Sequence, residues 1–400
     1  GNNNNKITQD AYFADNNKNQ VTINTQQSGT VTGDDNEKIE QATKTDRDNA
    51  NQASLSSSQA FSVRGNENKD IIQNQDLKQH NDNSASSLRQ SLDTFGNNMQ
   101  DIAQQQTTTS LNTNKDGSQF IASQSMEAQG DNSHDFLQVQ TISSFNDNGS
   151  QDLSDQALRA ERTNSHIVQT LNDENFNDNG SGASSQQRAE ITGPDNSFDQ
   201  ILSTKDTNNH ASSVNHEQQY FADGNSIGGY QEFSSESVND NGSSASEFQD
   251  MAIQGDNNTP HQSMTMKQNN DATPSASIGQ FFGITGNNNK EVYQSLEDLD
   301  SNGANVFDRS NQRLAIDGDS NIANQELYTE NTNENVEVTN NQSLDINGNV
   351  NDANQIYRVE QNNNGGPPVE NTQEDTLTGD GNVLDRDETQ NRLLRGYNLN

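Results

Sequence analysis

The side chains best able to do acid–base or metal chemistry are the histidines, at His80, His134, His166, His210, His216 and His261. They are scattered; only His210 and His216 come close, six residues apart in what reads as a loop. No His-Glu-x-x-His, nucleophile elbow or phosphate loop occurs. Ser and Asp are abundant but nothing singles out a triad, so the chain is not expected to be an enzyme. Solenoids that cleave carbohydrate usually carry clustered Asp and aromatic subsites, and this chain has no Trp and 7 Tyr. Oxygen ligands are the second candidate chemistry. Asp317-Gly318-Asp319-Ser320-Asn321 resembles part of a calcium loop, as does Asp345-Ile346-Asn347-Gly348-Asn349. Asp317, Asp319 and Asn321 are the metal candidates these runs yield. Asn, Asp and Gly are also ordinary turn residues, no copy carries a full calcium loop with its closing Glu, and the Gly-Gly-x-Gly-x-Asp toxin repeat does not occur. The turn reading is favoured: no cofactor, with Ca²⁺ at most a diffuse counter-ion to a net charge of −37.

What must position these residues is a repeat. Gln9, Gln41, Gln73, Gln104, Gln138, Gln169, Gln200, Gln231, Gln262, Gln294, Gln325, Gln355 and Gln390 recur about every 31 residues. A second series interleaves: Gln27, Gln59, Gln90, Gln124, Gln156, Gln186, Gln218, Gln249, Gln280, Gln312, Gln342 and Gln373. A fixed period of this size held along a whole chain marks a repeat architecture.

Within one copy, Gln280, Phe282 and Ile284 alternate, then comes Gly286. The same order recurs as Gln249-Met251-Ile253-Gly255, Gln312-Leu314-Ile316-Gly318 and Gln342-Leu344-Ile346-Gly348. Period two is the strand signature. Gly193 stands off by one from this spacing, and Arg162 holds the glycine's place in one copy. An Asn commonly follows three residues after the glycine, as in Asn258, Asn289, Asn321 and Asn351. Gly and Asn tolerate positive φ, so a tight turn is expected. A second strand follows, centred on the first-series Gln with apolar residues two before and two after: Val292-x-Gln294-x-Leu296, Phe198-x-Gln200-x-Leu202 and Ile167-x-Gln169-x-Leu171. Residues two apart share a face, so these Gln point inward with the apolar side chains. A lone buried amide is costly, but amides stacked one rung apart bond to each other. The return to the next rung reads as longer and more variable, with Asn-Asp-Asn-Gly-Ser at Asn146–Ser150, Asn177–Ser181 and Asn239–Ser243. All five prolines (Pro194, Pro260, Pro274, Pro367 and Pro368) fall in expected turns or loops.

Hydrophobic residues make up only 26 % of the chain, a composition that by itself suggests disorder. The kept phase of the Gln series opposes that reading. Cysteine is absent, which removes disulfides and thiolate sites. No run of 18 apolar residues exists to span a membrane as a helix. The acidity argues against nucleic acid as a partner. Charges are expected on outward positions, with Lys290, Arg309 and Arg313 partly offsetting the acids. The chain starts at Gly1, as expected of a processed form whose targeting segment is gone, or of an expressed piece.

The expected fold is all-β: a β-solenoid of about 13 strand–turn–strand rungs forming two facing parallel in-register sheets with Gln/Asn ladders, about 60 Å long. It reads as a single array over residues 1–400, with copies starting near 1, 33, 65, 96, 130, 162, 193, 224, 255, 286, 318, 348 and 379. The order Gln280, Gly286, Asn289, Gln294 resembles the curlin repeat of secreted bacterial amyloid fibres, and it extends in some form to nearly all copies. Curlin repeats are shorter, with Gln nearer the glycine. The resemblance implies an extracellular or cell-surface matrix subunit whose partner is itself, with secretion and nucleation factors behind it. A chain showing no obvious globular cap presents open strand edges and is expected to polymerise end to end. The alternative is a calcium-stabilised solenoid adhesin or binding module that stays monomeric.

Overall fold

A computed structural model describes residues 2–17, 22–49, 54–81, 85–112, 119–161, 166–240, 242–271, 275–304, 307–334, 337–363 and 370–392. Their regular structure is entirely β-strand. The first strands are β1 (Ile7–Asn17), β2 (Thr22–Thr32), β3 (Glu37–Asn49), β4 (Ser54–Arg64), β5 (Lys69–Asn81), β6 (Ala85–Phe95), β7 (Gln100–Asn112) and β8 (Gln119–Gln129). Next come β9 (His134–Asn146), β10 (Gln151–Glu161), β11 (His166–Asn177), β12 (Gly182–Thr192), β13 (Ser197–Asn208), β14 (Ser213–Asp223), β15 (Gly228–Asp240), β16 (Ser244–Gln254) and β17 (Thr259–Asp271). The last are β18 (Ser275–Thr285), β19 (Val292–Ala304), β20 (Phe307–Asp317), β21 (Ile322–Glu334), β22 (Glu337–Asn347), β23 (Asp352–Asn363), β24 (Glu370–Thr378) and β25 (Val383–Arg392).

Odd-numbered strands form one 13-stranded sheet and even-numbered strands a 12-stranded sheet, each in simple sequence order. Neighbours pair in parallel, with Gln262 opposite Gln294 in one sheet and Gln249 opposite Gln280 in the other. This is the β-solenoid expected from the Gln spacing. Between the Gln columns and the glycine turns the interior is apolar, with Ile39, Val63, Phe282, Ile284 and Val292 buried there. Beyond the columns, a second apolar stretch of Leu171, Leu202, Phe233, Met264 and Leu296 fills part of the length.

The glycine column is set by sterics. A Cβ on Gly286 would lie 2.0 Å from the carbonyl oxygen of Gly255 one rung below, and φ there is +142°. Any side chain would collide with the preceding turn. Copies in which eight residues rather than seven separate this glycine from the ladder Gln carry one extra residue in the left-handed region: Lys38, Asp70, Asp101, Asp135 and Glu291. The insertion is absorbed as a bulge, so the register of the Gln column survives it.

Several expectations are corrected. Strands run 11 to 13 residues in most rungs, so the return corner is as short as the glycine turn. Residues 147–150 connect β9 to β10 and 178–181 connect β11 to β12. The glycine-side part of each strand is largely apolar inside, whereas the rest is paired backbone whose interior mixes apolar and polar side chains. Gln187, not Gln186, stands in the ladder, paired with Gln156 and Gln218; Gln186 is exposed and donates to Glu217. Gly193 is therefore six residues after its ladder Gln, like the others. At the C-terminal rung Gln355 pairs with Arg386, and Gln390 pairs with Val359. Pro260 is a buried strand residue, second in β17, where its missing N–H is tolerated near the strand start. Pro194 lies in a turn; Arg162, Pro274, Pro367 and Pro368 lie outside the described residues.

Candidate functional site

The Gln side chains form two columns of amide–amide bonds through the interior. From Gln41 to Gln355, each first-series Gln donates Nε2 to Oε1 of the Gln one rung earlier, at 2.8–3.1 Å. From Gln59 to Gln373 the second column does the same at 2.9–3.3 Å. The second amide proton crosses the interior: Gln280 donates to the Ser295 carbonyl at 2.9 Å and Gln294 to the Arg313 carbonyl at 3.0 Å. The columns therefore satisfy buried amides and stitch the two sheets together. Every amide dipole in both columns points the same way along the rod.

Asn ladders line the turns with the opposite sense, each Asn donating toward the later rung. Asn36 donates to Asn68 at 2.8 Å, Asn289 to Asn321 at 3.0 Å and Asn351 to Asn382 at 3.2 Å; Asn258 Nδ2 instead closes its own turn on the Gly255 carbonyl at 2.9 Å. A corner ladder absent from the sequence reading runs Asn146, Asn177, Asn208, Asn239, with bonds of 3.0, 2.9 and 2.8 Å. On the outer side of the glycine turns, Asn225, Asp256, Asn287, Asp319, Asn349 and Asp380 follow one another on successive rungs. Each of the first five accepts the next rung's backbone N–H at 2.6–2.9 Å. Asn and Asp offer the same acceptor oxygen, so alternating them keeps the bond and doubles the distance between like charges.

The metal candidates are employed in these ladders. Asp319 Oδ1 accepts from Asn349 and Asn321 Oδ1 from Asn289, while Asp317 Oδ1 accepts from Asn347 at 3.1 Å. The Asp317 and Asp319 oxygens face the next rung and the Asn321 oxygen the preceding one, rather than converging on a point. Among the described residues, no three His, Asp or Glu side chains gather as metal ligands.

The expectation that charges face outward is overturned in the middle of the rod. Asp152, Asp173, Asp206, His216, Glu247, Asp298 and Asp300 are buried, as is Arg47 near the N-terminus. His210 does sit in a corner turn, at 2.8 Å from Asp178, but His216 lies inside β14 with its ring fully enclosed. His216 Nε2 meets Asp206 Oδ2 at 2.7 Å, and Asn175 donates to Asp206 Oδ1 at 3.1 Å. Ser235 donates to Glu247 Oε1 at 2.8 Å, and Ser185 bonds the Asp173 carboxyl. Burial, aided by Asp173, pushes Asp152 up to about 8. Burial likewise lifts Asp173 to about 6 and Glu247 to about 7. Burial alone would lower His216, but Asp206 and its neighbouring carboxyls hold it up at about 9. A signal for these residues exists in the sequence: counted in twos from a ladder Gln, Asp173, Asp206, His216 and Glu247 all fall on inward positions.

On the outer face of the even-numbered sheet, Phe221, Ala252, Gly283, Ala315 and Arg313 line an open groove of about 480 Å³. Arg313 stacks over Phe281 and bonds Asp345 at 2.8 Å. No protein-family model, curated protein or solved structure matches the chain.

Proposed function

We propose that the chain is a structural subunit of an extracellular β-solenoid fibre of the matrix, adhesion or sheath kind, joining copies end to end. The observation that carries this reading is the pair of Gln columns, continuous in register and uniform in direction, which make each rung a template for the next. Two outer strands of the described rod, β1 and β25, each pair on one side only, and open edges of this kind accept further strands. The uniform sense of the columns favours head-to-tail joining, since a head-to-head junction sets donor against donor. The extracellular setting rests on the resemblance of the Gln–Gly–Asn–Gln order to curlin repeats.

A second reading, a monomeric rod or binding module with Ca²⁺ as a loose counter-ion, is favoured by one residue. Arg386 occupies the ladder position beside Gln355 and ion-pairs with Asp375. A guanidinium has donors and no acceptor, so it cannot receive an amide from a further rung. Electron microscopy of the purified chain in physiological salt separates the readings. Long filaments with a layer line near about 4.8 Å support the fibre. Discrete short rods support the module.

A further inference from the structure

Ser154, Ser185, His216 and Glu247 stand in one inward column on successive rungs of the even-numbered sheet. The groups facing them from the other sheet are Asp173 on β11, Asp206 on β13, and Ser235 and Ser237 on β15. Asp152 on β10 lies beside Asp173 in the same enclosed stretch. One rung beyond Glu247 stands the apolar Ile278, while Ser237 is followed by Gln268. Acidic side chains resume inside at Asp298 and Asp300 on β19.

The charge count of this enclosed group does not balance. Asp152, Asp173, Asp206 and Glu247 are four carboxyls, and His216 is the one cationic side chain among them. Once His216 is paired with Asp206, ionising any of the other three places an uncompensated charge in a water-excluded interior. Glu247 Oε2 and His216 Nδ1 have no hydrogen-bond partner among the described residues. We propose that this cluster makes β10 to β16 a proton-gated segment of the rod, closed while its spare carboxyls hold protons and opening locally as they lose them. A repeat array couples mainly to nearest neighbours, so the opening stays confined to these rungs. The proposal concerns the rod itself and stands whether or not copies join into fibres.

The direction follows from the shifts. Asp173, Glu247 and Asp152 are raised to about 6, 7 and 8, so between an ordinary carboxyl range and these values the folded segment holds more protons than the unfolded one. Their contribution is full at low pH and is lost as pH rises through those values. The His216 contribution is lost in the same direction, near 9.

Hydrogen–deuterium exchange of the full chain, read by mass spectrometry at pH 5.5, 7 and 8.5 and corrected for intrinsic rates, tests this. Peptides from β10–β16 are expected to lose at least about a hundredfold in protection across the range while β3–β7 and β20–β23 hold theirs. The D152N/D173N/E247Q variant, which keeps shape and removes the carboxyl titration, is expected to hold its protection from pH 5.5 to 6.5 and to lose less than the wild type above that, where His216 alone still titrates. Wild-type protection that is constant with pH, or that falls equally in middle and flanks, overturns the proposal even if the variant does not fold. So does a folded variant that keeps the wild-type loss.

Discussion

His216 Nε2 stands 2.7 Å from Asp206 Oδ2, and neither side chain has any surface in water. Against burial, an imidazolium enclosed this way is held chiefly by that carboxylate, with Glu247 and Asp173 adding to it, so D206N removes most of what keeps His216 near 9 and leaves burial to lower it. The His216 ring is expected to titrate below its ordinary value in D206N, which NMR of the ring resonances reads directly. The stability cost is about 3 kcal/mol below pH 6.5, shrinking as pH rises through 9, where the wild type also loses the proton. An unchanged His216 titration in D206N contradicts the assignment.

Gln294 bonds in three directions: it donates to Gln262 and to the Arg313 carbonyl, and it accepts from Gln325. Leucine in its place fits an apolar interior and looks mild by sequence reasoning, but it strands an acceptor on one side and a donor on the other. Q294L is therefore expected to lose about 3 kcal/mol by chemical denaturation. Q294E should lose more, about 4 kcal/mol, because an unpaired carboxylate replaces a donor. If Q294E were the milder variant, the inward placement would be refuted.

Two glycines separate collision from backbone strain. Gly286 has a carbonyl oxygen 2.0 Å from its would-be Cβ, while Gly149 at φ +76° has nothing within 4 Å. G149A should lose only about 1 kcal/mol, the left-handed penalty. G286A adds the clash and should lose well over about 2 kcal/mol. Paired urea titrations give the comparison; equal losses contradict the stacking geometry.

Val350 is a β-branched residue at φ +59° with 65 % of its surface exposed. Asn or Gly holds the equivalent place at Asn257, Asn288 and Gly381. V350N should gain about 1 kcal/mol, since the strain goes and no buried contact is lost. A loss of stability on denaturation means that the valine is held there by packing.

Arg386→Gln supplies the missing acceptor at the C-terminal rung. If the amide column governs joining, R386Q at equal concentration should assemble faster in light scattering than the wild type. Equal rates mean that the backbone edges alone decide.

Much of this architecture was legible in residue types alone. Gln, the two apolar residues after it and the glycine six on define a strand and a turn, and the buried amide follows from period two. Gln186 was mistaken for Gln187 because two adjacent glutamines differ only in face, and a one-residue slip flips every side chain. Arg386 is invisible to a pattern written in glutamine, although seven residues on from Gly379 lands on the arginine. The buried acids were hidden by a rule that is usually right: charged side chains alternating in a strand ordinarily mark the wet face. In these rungs the polar half of the interior is wide enough to take them.

The Asn–Asp alternation along the turns has a consequence for the rod in salt. Carboxylates on every second rung stand about 9.6 Å apart, just beyond the screening distance of about 8 Å at physiological ionic strength. Each therefore behaves as a nearly solitary ion there. In dilute buffer the screening distance grows past the spacing, and the row becomes a continuous line of charge that pushes its rungs apart.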